Sequence, residues 1–406
     1  GKGLPLDGVS NLWIPFFILS VHQLKPGGAF AVVLPSEFFC TKSAGVVRSE
    51  LVRSFKSVRV EFFPRNSFPD ILQDVLVVSG VRAAAVRRKR PVEFREHCQG
   101  TTRCWRHVAS DAGESWTRYL LNDPQLGAYE AAKRLPSVYP LGEVATIEVS
   151  IVTGANAFFT VTSQTLDEYE LHDWARPLLA RTAESCGIVF TKKDHARAEQ
   201  MGKRSWLLDF SEDRPDPLSH RRAHAYLKIG EEKDLHKRYK CRIRVPWYRV
   251  PHIRRRPLML AKRAHQHHRL ILNQAAVFTT DTIYRGRMKR GYGKDAKDLV
   301  AGFHNSLTLL SAEVEGRSYG GGVLELVPSE IGALSVPLAD AGRLLPELDA
   351  VSRDAGGQID AHDRLLDATD QRLTDLVCGY GDVVGDLKAA RTTLRMRRFA
   401  GSNGGR

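Results

Sequence analysis

Cysteine is scarce in this chain, with 6 in 406 residues and no regular spacing. That excludes a disulfide scaffold and suits a reducing, cytoplasmic setting. Cys98 and Cys104, with His97 beside them, lack the further ligands that a zinc site needs, so they read as ordinary thiols. No apolar run approaches the ~20 residues of a membrane helix, and none is expected to span a bilayer. No basic-then-apolar leader precedes the first amphipathic segment. Internal repeats are missing, as are the serine–histidine and paired-carboxylate patterns that hydrolysis uses. A glycine-rich loop between an apolar strand and a helix is also lacking. Gly291-Tyr-Gly293 and Gly379-Tyr-Gly381 are not read as one.

Acidic residues are the minority, 46 against 60 Lys and Arg, for a net charge of +14. The imbalance is local. Residues 231–290 hold 17 Lys and Arg against 4 Asp and Glu, an excess of 13. Such a block favours a polyanion, because each phosphate neutralised releases condensed counterions. The plain alternative is a solvated basic surface. Trp247, Tyr248 and Tyr284 are interleaved with the charges, and apolar runs at 257–260 and 270–272 cross them, which predicts a folded region. Arg254, Arg255, Arg256, Lys262 and Arg263 are its candidate phosphate contacts. His265, His267 and His268 sit among cations, where a metal would be repelled, and read as a surface basic cluster.

A chain this long should form two or three domains. Leu12, Phe16, Leu19 and Leu24, with Phe17 and Val21 beside them, predict an amphipathic helix ended by Gly27 and Gly28. The unbroken run Ala29–Leu34 predicts a strand covered on both faces, as in a parallel sheet. Val47, Leu51 and Phe55 predict a second helix with Arg48 and Arg53 outward. Residues 57–63 and 74–82 read as an antiparallel pair at a sheet edge, and 92–95 as a last short strand before a polar bridge to about 115. Helical segments follow at 116–121 and 126–133. Region 141–340 has α+β texture, with strands expected at 188–190, 225–228, 244–250, 257–261 and 276–279 and a helix at 299–310. Residues 341–395 predict a helical hairpin broken at Gly379-Tyr-Gly381, with Asp360, Asp367 and Asp370 outward. The final residues, 400–406, are expected to be disordered.

Asn11-Leu-Trp13, Leu24-Lys-Pro-Gly-Gly28, a strand ending in Pro35, Arg48 with Leu51, and Ser67-Phe-Pro69 before a strand occur in this order in one family. The segment resembles the part of adenine-specific DNA methyltransferases of restriction–modification type that follows their Asn-Pro-Pro-Tyr motif. Residues 151–159 and the glycine block at 316–330 are similar to that family's target-recognition region. The resemblance implies a partial class-I (Rossmann-like) α/β sheet over 1–96, a helical connector at 97–140, an α+β target-recognition domain at 141–340 and a C-terminal helical element at 341–406. It implies S-adenosylmethionine as donor in the intact enzyme, adenine N6 as acceptor, and double-stranded DNA as partner.

The family's donor-binding strand–turn–helix and its [Asn/Asp]-Pro-Pro-[Tyr/Phe] motif do not occur in residues 1–406. The expectation is therefore that this chain alone binds no donor and does not catalyse. A missing N-terminal half or a second polypeptide would supply both. A stand-alone DNA-binding specificity module is the alternative. In the family, an aromatic residue before the strand here at 74–82 stacks on the flipped-out adenine, which points to Phe68; a core Phe under a loop is the other reading. Gly154 and Asn156 form a turn, either a backbone contact to DNA or a plain hairpin. The glycines after Tyr319 imply a close approach, to a phosphate or within a tight crossover, with Arg317 and Tyr319 as candidate DNA contacts.

Overall fold

The computed structural model of the chain describes residues 11–64, 67, 75–84, 91–98, 100–110, 113–319, 321–354 and 359–400. The fold is mixed α/β with several sheets. It divides into two compact units. The first takes the described residues of 1–131, 310–330 and 385–406, and the second takes 132–309 and 331–384.

In the first unit, α1 (Trp13–His22), β1 (Ala29–Pro35), α2 (Gly45–Ser54), β2 (Phe55–Phe62), β3 (Val75–Arg82), β4 (Pro91–Cys98) and β5 (Thr101–Val108) follow in order. The sheet runs β1-β3-β2-β4-β5. Only β2 and β4 are parallel. The pair β2–β3 is antiparallel as expected, but β3 lies inside the sheet, because β1 pairs along its far side from Ala29–Val81 to Pro35–Val75. A Cβ at Gly80 would come within 2.8 Å of the Phe30 ring and the Ser57 carbonyl, so only glycine lets β1 and β2 flank β3 there. The helix α1 buries Ile14, Phe17, Ile18 and Val21 rather than the Leu12–Phe16–Leu19 stripe, which stays exposed. Alternate residues of β1 are also exposed, so it is not covered on both faces.

Arg48 is not outward. It is 1 % exposed, and its guanidinium donates to the carbonyls of Phe38, Thr41, Gly113 and Glu114 at 2.6–3.1 Å. Four carbonyls compensate for its loss of water, as a buried charge requires. Residues 101–108, expected as a bridge, are β5, whose Trp105 stacks on Phe62 and Phe94.

Among the described residues, the second unit carries two larger sheets and a two-stranded one, Val138–Pro140 with Ser335–Pro337. One larger sheet orders Val189–Phe190, Leu270–Asn273, Leu258–Ala261, Ile283–Met288 and Ala145–Glu148. The other orders Phe278–Thr279, Ala175–Leu179, Trp206–Leu208 and Thr160–Val161. Residues 225–228 lie in the helix Arg221–Glu232, not in a strand. Residues 244–250 form no strand either. The helix expected at 299–310 is two, Ala296–Phe303 and Ser306–Glu315. Helices Leu345–Asp354, Ile359–Leu376 and Tyr380–Ala400 follow, with Gly379 at φ +80° between the last two. Asp367 is exposed. Asp370 is not: it is 2 % exposed and accepts from Ser306 N–H (2.9 Å), Ser306 Oγ (2.6 Å) and the Tyr380 hydroxyl (2.6 Å).

Candidate nucleic-acid interface

The basic block resolves into loops fastened from behind. The first, residues 238–246, follows helix Arg221–Glu232, which buries Ala223, Tyr226, Leu227 and Gly230. Leu235 and Cys241 are buried anchors. Arg244 reaches inward, and its two Nη atoms donate to the Thr153 and Val152 carbonyls, both at 2.7 Å. Burial lowers its pKa below the usual arginine range. Gly154 supports the same loop. Its φ is +80°, and a Cβ there would lie 2.9 Å from Lys240 Cβ and 3.1 Å from Cys241 Sγ. Asn156 accepts from Thr153 Oγ1 and donates to Asp281 Oδ1 at 2.9 Å. Gly154 and Asn156 thus have partners within the chain, in a turn that seats the loop.

The second loop, residues 251–257, is held by Arg285. This residue sits in the strand Ile283–Met288 and is 7 % exposed. Its Nη1 donates to the carbonyls of His252 (3.0 Å) and Arg254 (2.8 Å), and its Nε to Glu148 Oε1 (3.0 Å). Arg256 shares that carboxylate at 3.4 Å. Arg255 donates to the Ala276 carbonyl at 3.3 Å. Arg254 and Arg255 are exposed, and Arg256 is half-buried.

Gly291-Tyr-Gly293 lies between a strand and a helix, Ile283–Met288 and Ala296–Phe303, but the strand carries two arginines and is not the apolar one that a cofactor loop would follow. The arrangement does not make a phosphate cradle. Both sheet neighbours of the strand are antiparallel, and the Asp295 carboxylate accepts from Lys297 N–H (2.6 Å) and Asp298 N–H (3.2 Å). The first-turn amides are therefore taken. An open groove of about 520 Å³ runs along this turn, lined by Pro257, Arg287, Arg290, Tyr292 and Lys294 among others.

Lys262 is half-buried and Arg263 exposed, just after the strand Leu258–Ala261. Of the histidine cluster, only His265 is exposed. His267 and His268 are buried, with His268 Nε2 at 3.3 Å from the Lys262 carbonyl and His267 edge-to-face with His362 at 4.4 Å. In the first unit, Arg317 and Tyr319 bound a strand of a hairpin with Val323–Glu325. Gly321 and Gly322 take φ +80° and +74°, so the glycines make the turn. Arg317 Nε donates to Glu330 at 2.7 Å. Tyr319 is half-buried, and burial pushes its phenol up. Phe68 lies outside the described residues. No group of three or more His, Cys, Asp or Glu among the described residues is placed to hold a metal.

Residues 113–373 match the family described as Type II methyltransferase M.Eco57I, C-terminal domain. The chain belongs to that family. Within the known proteins, this M.Eco57I-type C-terminal part is similar to the Type II methyltransferase M.AccI of Acinetobacter calcoaceticus, at 22% identity over 343 residues, 80% of this chain and 62% of that protein. The type IIG restriction endonuclease BpuSI is similar in structure, with a TM-score of 0.46 and 12% identity over 95% of this chain and 49% of its own. The type IIL restriction-modification enzyme MmeI, solved in complex with DNA, gives a TM-score of 0.48 and 9% identity over 97% and 52%. The chain thus spans under two thirds of M.AccI and about half of each solved enzyme.

Sequence reasoning misses Arg244 and Arg285, which fix the loops, because their partners are distant backbone carbonyls. A signal for the first loop does exist. Tyr239-Lys-Cys-Arg-Ile-Arg-Val245 alternates cation with uncharged side chain. No helix of the described residues is long and apolar enough to cross a membrane.

Proposed function

We propose that residues 1–406 are the DNA-reading part of a restriction–modification methyltransferase specific for adenine N6. Membership of the M.Eco57I C-terminal family supports the enzyme class. One observation carries the DNA reading: within the 13-charge excess of residues 231–290, seven cations lie on two loops whose backbones are pinned from inside, with Arg254 and Arg255 left exposed, and Arg263 is exposed beyond them. Cations on a pinned backbone lose little further order on meeting phosphates. In this reading region 141–340 recognises the target, Gly154 and Asn156 position the first loop, Arg254–Arg256, Lys262 and Arg263 meet phosphates, and Arg317 and Tyr319 bound a second, smaller contact. Phe68 stacks on the flipped adenine.

S-adenosylmethionine is the donor of the intact enzyme. The residues here do not fit it. The donor-binding strand–turn–helix does not occur in residues 1–406, and Asp295 already holds the helix amides nearest in form to a cradle. No step of methyl transfer is assigned to this chain. The open side of the first sheet favours a completed enzyme over a stand-alone module. Among the described residues β1 pairs only with β3, and α1 leaves Leu12 and Phe16 79 % and 71 % exposed. An apolar edge of that kind invites another chain segment. A preceding segment or a second polypeptide, continuing a class-I sheet, fits that edge.

The test combines binding and labelling. Titrating residues 1–406 into a fluorescent duplex of mixed sequence should show salt-sensitive binding. Adding radiolabelled S-adenosylmethionine should leave the DNA unlabelled until a polypeptide carrying Asn-Pro-Pro-Tyr is supplied. No binding at low salt would refute the reading, and labelling by residues 1–406 alone would refute its division of labour.

A further inference from the structure

We propose that the loop 238–246 is a wedge for a DNA base step, in which Val245 and Ile243 insert and Tyr239 lies along the exposed base edge. This rests on the DNA-binding reading above and adds to it a mode of contact. Val245 is 93 % exposed, Ile243 60 % and Tyr239 63 %. A single exposed apolar residue needs no explanation. Three within seven residues, on a stretch that also holds Arg238, Lys240, Arg242 and Arg244, do need one.

The loop's inward groups make the outward ones rigid. Cys241 is fully buried, Arg244 is tied to the Val152 and Thr153 carbonyls, and Tyr248 is buried just beyond. Gly154 has no side chain to push Lys240 and Cys241 away. Residues Tyr239–Arg242 form one helical turn that points Cys241 inward, and Tyr239, Ile243 and Val245 are left outward with exposed Lys240 and Arg242 among them. Lys240 Nζ and the Arg242 guanidinium lie 5.2 and 5.9 Å from the Tyr239 ring centroid, so cations and apolar surface share one patch.

Charge complementarity selects the occupant. An apolar protein surface would not meet the three exposed cations Arg238, Lys240 and Arg242, and an acidic peptide would leave Ile243 and Val245 in water. Duplex DNA offers both halves: phosphates along the rim and flat apolar base faces behind them. Short aliphatic side chains pushed between base pairs partly unstack them, and flanking cations hold the backbone of the kinked step.

The experiment uses residues 1–406 and a duplex of alternating A·T steps containing 2-aminopurine, whose fluorescence rises on unstacking. The parent should raise the signal on saturation. Ile243→Ser with Val245→Ser should bind with nearly the same salt dependence but lose most of that rise. Both positions are exposed, so the unfolding midpoint of the variant should match the parent's. Binding with no rise in the parent, or an equal rise in the variant, overturns the wedge and leaves the DNA reading standing. No binding by the parent overturns both.

Discussion

Arg285 Nη1 lies 2.8 Å from the carbonyl oxygen of Arg254. The two arginines have opposite duties. Arg285 gives up its water to hold the backbone of a loop, and Arg254 keeps its side chain exposed on that loop. Glu148 compensates the buried charge from one side and also meets Arg256.

Replacing Arg285 with Gln should therefore lower stability by about 1–3 kcal/mol, since charged hydrogen bonds to two carbonyls and a carboxylate are lost. Arg254→Gln should leave the urea midpoint unchanged while weakening DNA binding. Denaturant titration of the two variants checks this. Equal midpoints for Arg285→Gln and the parent would show that the loop does not depend on Arg285.

The first loop makes a different demand. Cys241 is buried, and desolvation raises its thiol above the usual range, whereas Cys98, Cys104 and Cys378 are exposed. Iodoacetamide under native conditions should modify the three exposed cysteines and spare Cys241. It should also spare Cys40, whose thiol burial pushes up to about 12. Rapid labelling of Cys241, mapped by peptide mass, would mean that the loop opens and is no fixed platform.

His304 links the second unit's stability to pH. Burial, with Arg269 and His362 adding to it, pushes its imidazole down to about 3. The unfolded chain takes up that proton near pH 6.5. The folded state is therefore fully favoured above about pH 6.5 and loses stability as the pH falls toward 3, at up to about 1.4 kcal/mol per pH unit. Urea midpoints across that range should fall less steeply for His304→Leu than for the parent. Parallel slopes would contradict the assignment.

Much of the first unit is legible in the sequence, because strands such as Val75–Arg82 and helices such as α1 declare themselves by local apolar pattern. What is not legible is which stripe of α1 is covered. Leu12, Phe16 and Leu19 are as apolar as Ile14, Phe17 and Ile18, and only the sheet chooses between them. Residues 244–250 read like a strand, yet their backbone turns on itself, with Arg244 N–H donating to the Cys241 carbonyl and Arg249 N–H to the Pro246 carbonyl. Arg48 and Asp370 mislead for one reason. Charge predicts the surface unless several partners converge, and convergence is a property of the fold. The basic block itself is legible, since composition survives any folding.

The central claim is that this block binds DNA through its phosphates. The direct measurement is the salt dependence of duplex binding by the parent and by a variant with Arg254, Arg255 and Arg256 all changed to Gln. About six phosphate contacts would give the parent a log–log slope of about −5. The variant should bind every sequence more weakly and to the same degree, because phosphate contacts carry no base information. Its slope should be shallower by up to about 2.7, the share of three contacts. A variant that binds as tightly as the parent, with the same slope, would contradict the account.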